Sequence, residues 1–274
     1  MSRSGAPPDR STLTELLAGA GFVSAPEEAG ELLAAAAAEA GGVGGAGDAG
    51  LLEELVRRRL TGEPLAWITG SASFCGRRLR VHPGVYVPRR QSEPLARRAA
   101  ERLPASGAAI DVCTGSGAIA STLMAMRPCA RIVASDLDER AVACATANGV
   151  DVYRGDLFAP LPRSLEGRVD VVVGVVPYVP TPELALLQRD TLTFESALSY
   201  DGGPDGAGIL RRVLAGSPRF LRHGGALLLE LGGAEADLLA DDLARLGYAD
   251  VTVLADEEGD VRGIEATLSP RSTA

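Results

Sequence analysis

The chain has 274 residues, of which 46% are hydrophobic and 23% charged, and its net charge is −9. This composition is typical of a globular protein with one large domain and at most a small appendage. The acidic balance disfavours a nucleic-acid or membrane-surface binder, which is normally basic, so neither partner is expected. All 27 basic residues are arginine, which excludes lysine Schiff-base chemistry and a lysine-dependent phosphate loop.

The sequence shows no pattern typical of a targeting segment or of a metal site. No apolar run approaches the roughly 18 residues of a membrane span, and the N-terminal MSRSGAPPDR lacks the apolar core of a signal peptide. A cytoplasmic protein is therefore expected. Four isolated cysteines and two histidines have no metal-ligand spacing, so neither a metal site nor a disulfide framework is expected.

The first 92 residues predict two short regions. Residues 1–60 are expected to form a small helical domain, because segments rich in Ala, Leu and Glu carry apolar residues at helical spacing. The glycine-rich stretch Gly41–Gly50 interrupts them and has the composition of a linker. Residues 61–92 predict a β-hairpin linker, since the alternation in Arg78–Val81 indicates a strand.

Residues 93–274 predict a larger α/β domain, in which strands and helices alternate from Ala108 onward. This rhythm indicates an open, mostly parallel sheet, whose ligands bind beyond the carboxyl ends of the strands. The candidate strands lie within 108–117, 131–138, 150–156, 169–176 and 224–233, and the candidate helices within 118–127, 139–149, 207–221 and 234–247.

The first candidate strand ends in an acid and a glycine loop, Asp111 through Gly117. Such a loop before a helix is typical of cofactor sites, although a plain tight turn has the same form. The spacing fits both a dinucleotide and S-adenosylmethionine, with Asp136 on the ribose. Asp111 suits the α-amino cation of S-adenosylmethionine and opposes a pyrophosphate, which favours the methyl donor. Asp156, after the third strand, is either an adenine neighbour or a turn residue.

Several further motifs follow one another in a fixed order between Thr61 and Leu268. Together with the glycine loop they resemble the HemK/PrmC-type protein glutamine-N5 methyltransferases, and most closely an actinobacterial branch. The resemblance rests on Gly62–Leu65, Trp67–Gly70, Val87–Arg90, Glu93, Asp111–Gly117, Gly155–Phe158, Pro177–Pro180, Phe194–Glu195, Gly202–Gly206 and Gly224–Leu231.

The resemblance implies a class I S-adenosylmethionine-dependent methyltransferase, with a Rossmann-like seven-stranded sheet behind a helical N-terminal domain and a β-hairpin linker. Its substrate would be a glutamine of a peptide chain release factor, methylated by a monomer. The implied cofactor residues are Asp111, Cys113, Thr114, Gly115, Ser116 and Gly117, with Asp136 at the ribose and Asp156 and Leu157 by the adenine. The implied substrate-binding residues are Pro88, Arg89, Glu93 and Val176.

The expected catalytic segment departs from the family at one position. The family has Asn-Pro-Pro-Tyr or Asn-Ala-Pro-Tyr where this chain has Val175, Val176, Pro177 and Tyr178. An Asn side chain accepts a hydrogen bond from the substrate amide and orients its nitrogen, whereas Val175 cannot. Four interpretations stay open: glutamine methylation, a cofactor-binding paralogue without turnover, a small-molecule methyltransferase, and an NAD-dependent oxidoreductase, for which no candidate proton donor accompanies the loop.

Overall fold

The computed structural model describes residues 8–39, 49–187 and 193–270. The chain divides into two compact units, Met1–Ser71 and Ala72–Ala274. The predicted linker Gly41–Gly50 lies outside the described residues, apart from its last two positions. In the described part of the chain, no helix is long and apolar enough to cross a membrane.

The described part of the first unit contains four helices, α1 (Arg10–Gly19), α2 (Ala25–Glu39), α3 (Ala49–Leu60) and α4 (Leu65–Ile68). The side chain of Asp9 caps α1 by accepting a hydrogen bond from the Thr12 N–H at 2.9 Å. An ion pair of 2.6 Å between Arg59 and Glu28 joins α3 to α2.

The predicted hairpin is present as β1 (Ser71–Phe74) and β2 (Arg77–Arg80). Cys75 and Gly76 form the turn between the strands, and their φ angles are +49° and +73°. Two successive positive φ angles are characteristic of the type I′ turn that suits the twist of a hairpin.

A seven-stranded sheet is the centre of the second unit. Its order is β5-β4-β3-β6-β7-β9-β8, and every neighbouring pair from β5 to β7 is parallel, whereas β9 is antiparallel to both β7 and β8. The strands are β3 (Ala108–Val112), β4 (Arg131–Asp136), β5 (Val152–Arg154), β6 (Val169–Gly174), β7 (Leu221–Glu230), β8 (Tyr248–Ala255) and β9 (Val261–Leu268).

Helices cover both faces of this sheet. On one face, Val171 and Val173 of β6 belong to a core shared with α5 (Glu93–Arg102), α6 (Ala118–Met126) and α7 (Glu139–Ala147). On the other, Val169 and Val172 belong to a core shared with α8 (Gly208–Gly216) and α9 (Gly233–Arg245). Burial on both faces explains why β6 is continuously apolar in sequence.

Strands β8 and β9 are not among the strands that the sequence predicts. The central residues of β8 are mostly exposed, and Asp250 within it has a positive φ of 50°, so neither an apolar run nor a clean alternation marks the strand. The fold class that the sequence predicts is confirmed, and these two strands complete the sheet.

Candidate functional site

A cavity of about 400 Å³ lies at the carboxyl ends of the parallel strands. In the sheet, β4 lies on one side of β3 and β6 lies on the other. The direction in which strands are added therefore reverses at β3, and the cavity lies at this topological switch point. The sequence-predicted residues that line it are Pro88, Arg89, Asp111, Cys113, Thr114, Gly115, Ser116, Asp136, Asp156, Leu157, Val175, Val176, Pro177 and Tyr178.

The cavity has two chemically different halves. We call the part formed by Asp111, Cys113–Ser116, Asp136 and Asp156–Leu157 the acidic half. The part formed by Tyr86, Arg89, Val175–Tyr178 and Tyr200 is called the aromatic half.

Three residues of the glycine loop have left-handed backbone conformations. The φ angles are +56° at Cys113, +57° at Gly115 and +80° at Gly117. A Cβ atom on Gly115 would meet no atom within 4 Å, so this glycine leaves open space in the cavity wall. A Cβ on Gly117 would lie 2.9 Å from a methyl group of Val150. Gly117 therefore allows the loop to pack closely against Val150, and it is not among the described residues that line the cavity.

Asp111 is a buried acid at the end of β3. Its Oδ2 accepts hydrogen bonds from Thr114 Oγ1 at 2.6 Å and from the Ala120 N–H at 3.0 Å. Burial raises the pKa of Asp111 to about 7, against the opposing effect of these two hydrogen bonds. A cation placed beside this carboxyl would favour its ionised form.

Asp136, at the end of β4, shapes the loop directly. Its Oδ2 accepts from the Gly115 N–H at 2.8 Å, and its Oδ1 accepts from the Asp138 N–H at 2.9 Å. Burial raises the pKa of Asp136. Each carboxylate oxygen has a further lone pair, so Asp136 can still accept bonds from two neighbouring hydroxyls of a ligand.

Acids outnumber bases in the described lining of the cavity. Two arginines oppose the five aspartates Asp111, Asp136, Asp138, Asp156 and Asp201. One of them, Arg212 of α8, forms an ion pair with Asp156. The other, Arg89, lies in the aromatic half. The acidic half therefore suits a positively charged ligand.

The aromatic half begins where β6 ends. Val175 packs against the core under α5, and Val176 is fully buried. The Gly202–Gly206 loop lies against the next residues, because a Cβ on Gly202 would come within 2.7 Å of the Tyr178 Cα. On Gly206 it would come within 2.4 Å of the Tyr178 carbonyl oxygen. Only glycine allows the loop to lie so close to this backbone.

An ion pair between the half-buried Arg89 and the buried Glu195 joins two walls of the aromatic half. The Oε2 atom of Glu195 accepts a hydrogen bond from Arg89 Nη2 at 2.8 Å and another from the Tyr200 hydroxyl. The Oε1 atom of Glu195 accepts from the Val87 N–H at 3.0 Å. Burial is the largest single effect on the pKa of Arg89 and lowers it, but Glu195, Tyr86 and Tyr200 together outweigh burial and raise the pKa above its usual value. Arg89 also lies over the ring of Tyr86, 5.2 Å from the centroid.

Glu93, predicted as a substrate residue, does not line the cavity in the described part of the chain. Its carboxylate forms an ion pair of 2.9 Å with Arg97 on the surface of α5. The described residues contain no cluster of three or more potential metal ligands.

Several residues in or beside the aromatic half have no role predicted from the sequence. Tyr86, Gln91 and Tyr200 line the cavity, and Glu195 and Glu230 contact its lining. Glu195 and Glu230 lie within the motifs Phe194–Glu195 and Gly224–Leu231, and this was the available signal. Their contacts with Arg89 and Tyr178 join residues more than 50 positions apart in the chain.

The chain is similar in sequence to several known proteins. No protein-family model matches the chain. A release factor glutamine methyltransferase from Geobacter sulfurreducens is 35% identical over 211 residues, which cover 75% of this chain and 73% of the relative. The chain belongs to the release factor glutamine methyltransferase family.

Two further similarities bear on this methyltransferase. The 4-amino-L-phenylalanine/4-methylamino-L-phenylalanine methyltransferase of Streptomyces pristinaespiralis is 36% identical over 188 residues, which cover 65% of this chain and 64% of that protein. Among solved structures, the hMettl16 catalytic domain in complex with an RNA hairpin has a TM-score of 0.55 at 14% identity, covering 72% of this chain and 77% of that one. At that identity the likeness shows the shared methyltransferase fold alone.

Enzymes of this family take their methyl group from S-adenosylmethionine, and the acidic half fits that compound. The open space at Gly115 admits a ligand close to the backbone. The excess of carboxylates complements the sulfonium and α-amino cations of the methyl donor. Asp136 has acceptor capacity for the two ribose hydroxyls.

Proposed function

We propose that this methyltransferase transfers a methyl group from S-adenosylmethionine to the side-chain amide of a glutamine in a peptide chain release factor. The observation that carries the proposal is the 35% identity to a relative of that name over three quarters of the chain. The cavity supports it, because the methyl donor fits one half and leaves the other for the acceptor. The proposal requires neither nucleic acid nor a second copy of the chain.

The cofactor roles follow from the positions of the side chains. Bound S-adenosylmethionine supplies an electrophilic methyl group on a sulfonium. Asp136 would hold the ribose hydroxyls, and Asp111 and the loop Cys113–Ser116 would hold the methionine part. Leu157, whose φ is +46° and whose side chain is mostly buried, would contact the adenine together with Asp156.

The acceptor must be positioned rather than activated by a base. An amide nitrogen is a weak nucleophile because its lone pair is delocalised, so the enzyme gains rate by holding that nitrogen in line with the methyl group. Pro88, Arg89 and Val176 would shape the entry of the glutamine, and Pro177 and Tyr178 would form the wall beside it. Val175 contributes shape but no hydrogen bond.

A small amine is the second candidate acceptor. Val175 provides an apolar contact where an amide needs a polar one, and the relative from Streptomyces pristinaespiralis is named for an aromatic amine substrate. Tyr86, Tyr178 and Tyr200 line this half of the cavity, and their rings suit an aromatic acceptor.

One experiment separates these candidates. The purified protein is incubated with isotope-labelled S-adenosylmethionine and either a release factor or 4-amino-L-phenylalanine, and the products are analysed by mass spectrometry. Label on a release-factor glutamine supports the proposal, and label only on the small amine replaces it with the second candidate. Cofactor binding without label on either acceptor refutes both and indicates a binding protein without turnover.

A further inference from the structure

A buried acid lies beside the apolar position of the acceptor wall. Glu230 is the last residue of β7 and is 3% exposed. The pairing of β6 with β7 last aligns Gly174 with Leu229. Glu230 follows Leu229 on β7, and Val175 is the first residue after β6. Both come one position after the last aligned pair, which places Glu230 near the start of the segment Val175–Tyr178.

The contacts of Glu230 lead to the cavity. Its Oε1 accepts hydrogen bonds from the Tyr178 hydroxyl and from Gln91 Nε2, both at 3.4 Å. Tyr178 and Gln91 line the cavity, whereas Glu230 lies behind them. Its Oε2 is buried without a hydrogen-bond partner among the described residues.

This arrangement is costly for a fold that uses Glu230 only for packing. Hydrogen bonds of 3.4 Å are long and weak. A buried polar atom without a partner destabilises the fold by the full free-energy cost of removing it from water. An apolar residue at the end of β7 would avoid that cost. The acid therefore requires an explanation beyond stability, and its contacts with two lining residues supply one.

We propose that Glu230 is a positioning residue for methyl transfer, acting through Tyr178 and Gln91 on an acceptor that carries an N–H group. This inference rests on the proposed function. The Gly202–Gly206 loop packs against the Tyr178 backbone, and Glu230 accepts a hydrogen bond from the hydroxyl at the other end of the side chain. The two contacts lie at opposite ends of Tyr178, and together they restrict the positions that its ring can take beside the acceptor nitrogen.

The first test measures single-turnover methyl transfer at saturating cofactor, with the acceptor that the wild-type protein methylates. A misplacement of about 1 Å costs up to about 100-fold in rate, so we expect Glu230→Gln and Tyr178→Phe each to slow transfer by about 10- to 100-fold. The dissociation constant of S-adenosylmethionine should change less than about twofold, since the acidic half is untouched.

The double variant distinguishes positioning through Tyr178 from an independent effect. If Glu230 acts through the Tyr178 hydroxyl, the double variant is about as slow as the slower single variant. Rate losses that multiply contradict the proposal. Glu265→Gln is the matched control, because Glu265 is a buried acid of β9 that pairs with Arg98 at 2.5 Å and does not line the described cavity. It should lower the melting temperature without slowing the single turnover.

A second measurement needs no acceptor. In protein labelled with ¹³C at the tyrosine Cζ, the Tyr178 signal is assigned by its loss in Tyr178→Phe. Glu230→Gln should shift that signal and leave those of Tyr153 and Tyr248 in place. If the Tyr178 signal does not shift in Glu230→Gln, the proposal is overturned. If Glu230→Gln fails to fold, the rate of Tyr178→Phe decides instead, and a wild-type rate in that variant overturns the proposal. If the wild-type protein methylates neither acceptor, the proposed function fails, and the Tyr178 signal alone decides whether Glu230 holds this side chain.

Discussion

The acidic and aromatic halves of the cavity are built from the sequence in different ways. In the acidic half, the two buried acids lie at the carboxyl ends of parallel strands, Asp111 as the next-to-last residue of β3 and Asp136 as the last residue of β4. In the aromatic half, Arg89 and Glu195 meet although 106 positions separate them. The aromatic half also carries Val175 in place of the Asn of the family's motif. We infer from this comparison that the residues suited to a methyl donor are kept, and that the chain differs where we propose that the acceptor binds.

The largest expected effect tests the difference at Val175. We expect Val175→Asn to raise single-turnover methylation of release-factor glutamine by about 10²–10³-fold, because one preorganised hydrogen-bonding group contributes about that much. Transfer is measured at saturating cofactor in both forms. Val175→Leu is the matched control, since it changes the same side chain without adding a hydrogen-bonding group. A wild-type protein that is already fully active would show that another group orients the glutamine.

The next effect tests the acidic half. Asp136→Ala should weaken binding of S-adenosylmethionine by about 10- to 100-fold, because charge-assisted hydrogen bonds contribute about 1.5–3 kcal/mol. Isothermal titration calorimetry measures the affinity, and Asp151→Ala, an exposed acid outside the cavity lining, is the control. Unchanged affinity in Asp136→Ala would contradict its placement at the ribose.

Arg89 gives a smaller effect in the opposite half. Arg89→Ala removes the partner of Glu195 and should raise the acceptor KM by about tenfold, as expected for one lost charged hydrogen bond. The cofactor dissociation constant should stay unchanged. Arg90→Ala is the control, because Arg90 is exposed and does not line the described cavity. Equal loss of acceptor and cofactor binding in Arg89→Ala would indicate damage to the fold instead.

Asp111 predicts a pH dependence of cofactor binding. Its pKa is about 7, so it is mostly protonated at pH 6 and mostly ionised at pH 8. A cationic ligand favours the ionised form, so affinity for S-adenosylmethionine should rise by up to about tenfold from pH 6 to pH 8. Calorimetry at both pH values measures it, and Asp111→Asn should remove this rise. A rise that persists in Asp111→Asn would assign the titration to another group.

The smallest effect concerns the strained loop. Cys113→Gly should stabilise the protein by up to about 1 kcal/mol, because glycine adopts a positive φ without the cost of a side chain. Denaturant unfolding measures the gain. Cys75→Gly is the matched control, since Cys75 also has a positive φ, of 49°, and does not line the described cavity. Only Cys113→Gly should also change cofactor affinity. No gain in either variant would show that packing of the thiols outweighs the backbone strain.

The sequence predicts those parts whose contacts are local or periodic. The apolar run of β6 and the loop from Asp111 to Gly117 carry their structure in adjacent residues, and both are found where expected. Strand β8 is not predictable in this way, because its side chains are mostly exposed and its form comes from pairing with β9. The Glu195 and Glu230 contacts are also hidden, since sequence spacing does not show which distant segments a fold brings together.

The Gly202–Gly206 loop has a consequence for how such enzymes change substrate. The loop lies close to the Cα and the carbonyl oxygen of Tyr178. Both are main-chain atoms, which every amino acid has. The main-chain path at this position is therefore independent of the residue that occupies it. Evolution, or a mutagenesis library, can replace side chains at positions 175 and 178 while the loop preserves the same scaffold. A new methyl acceptor is then within reach of a few point mutations that leave the methyl-donor pocket in place.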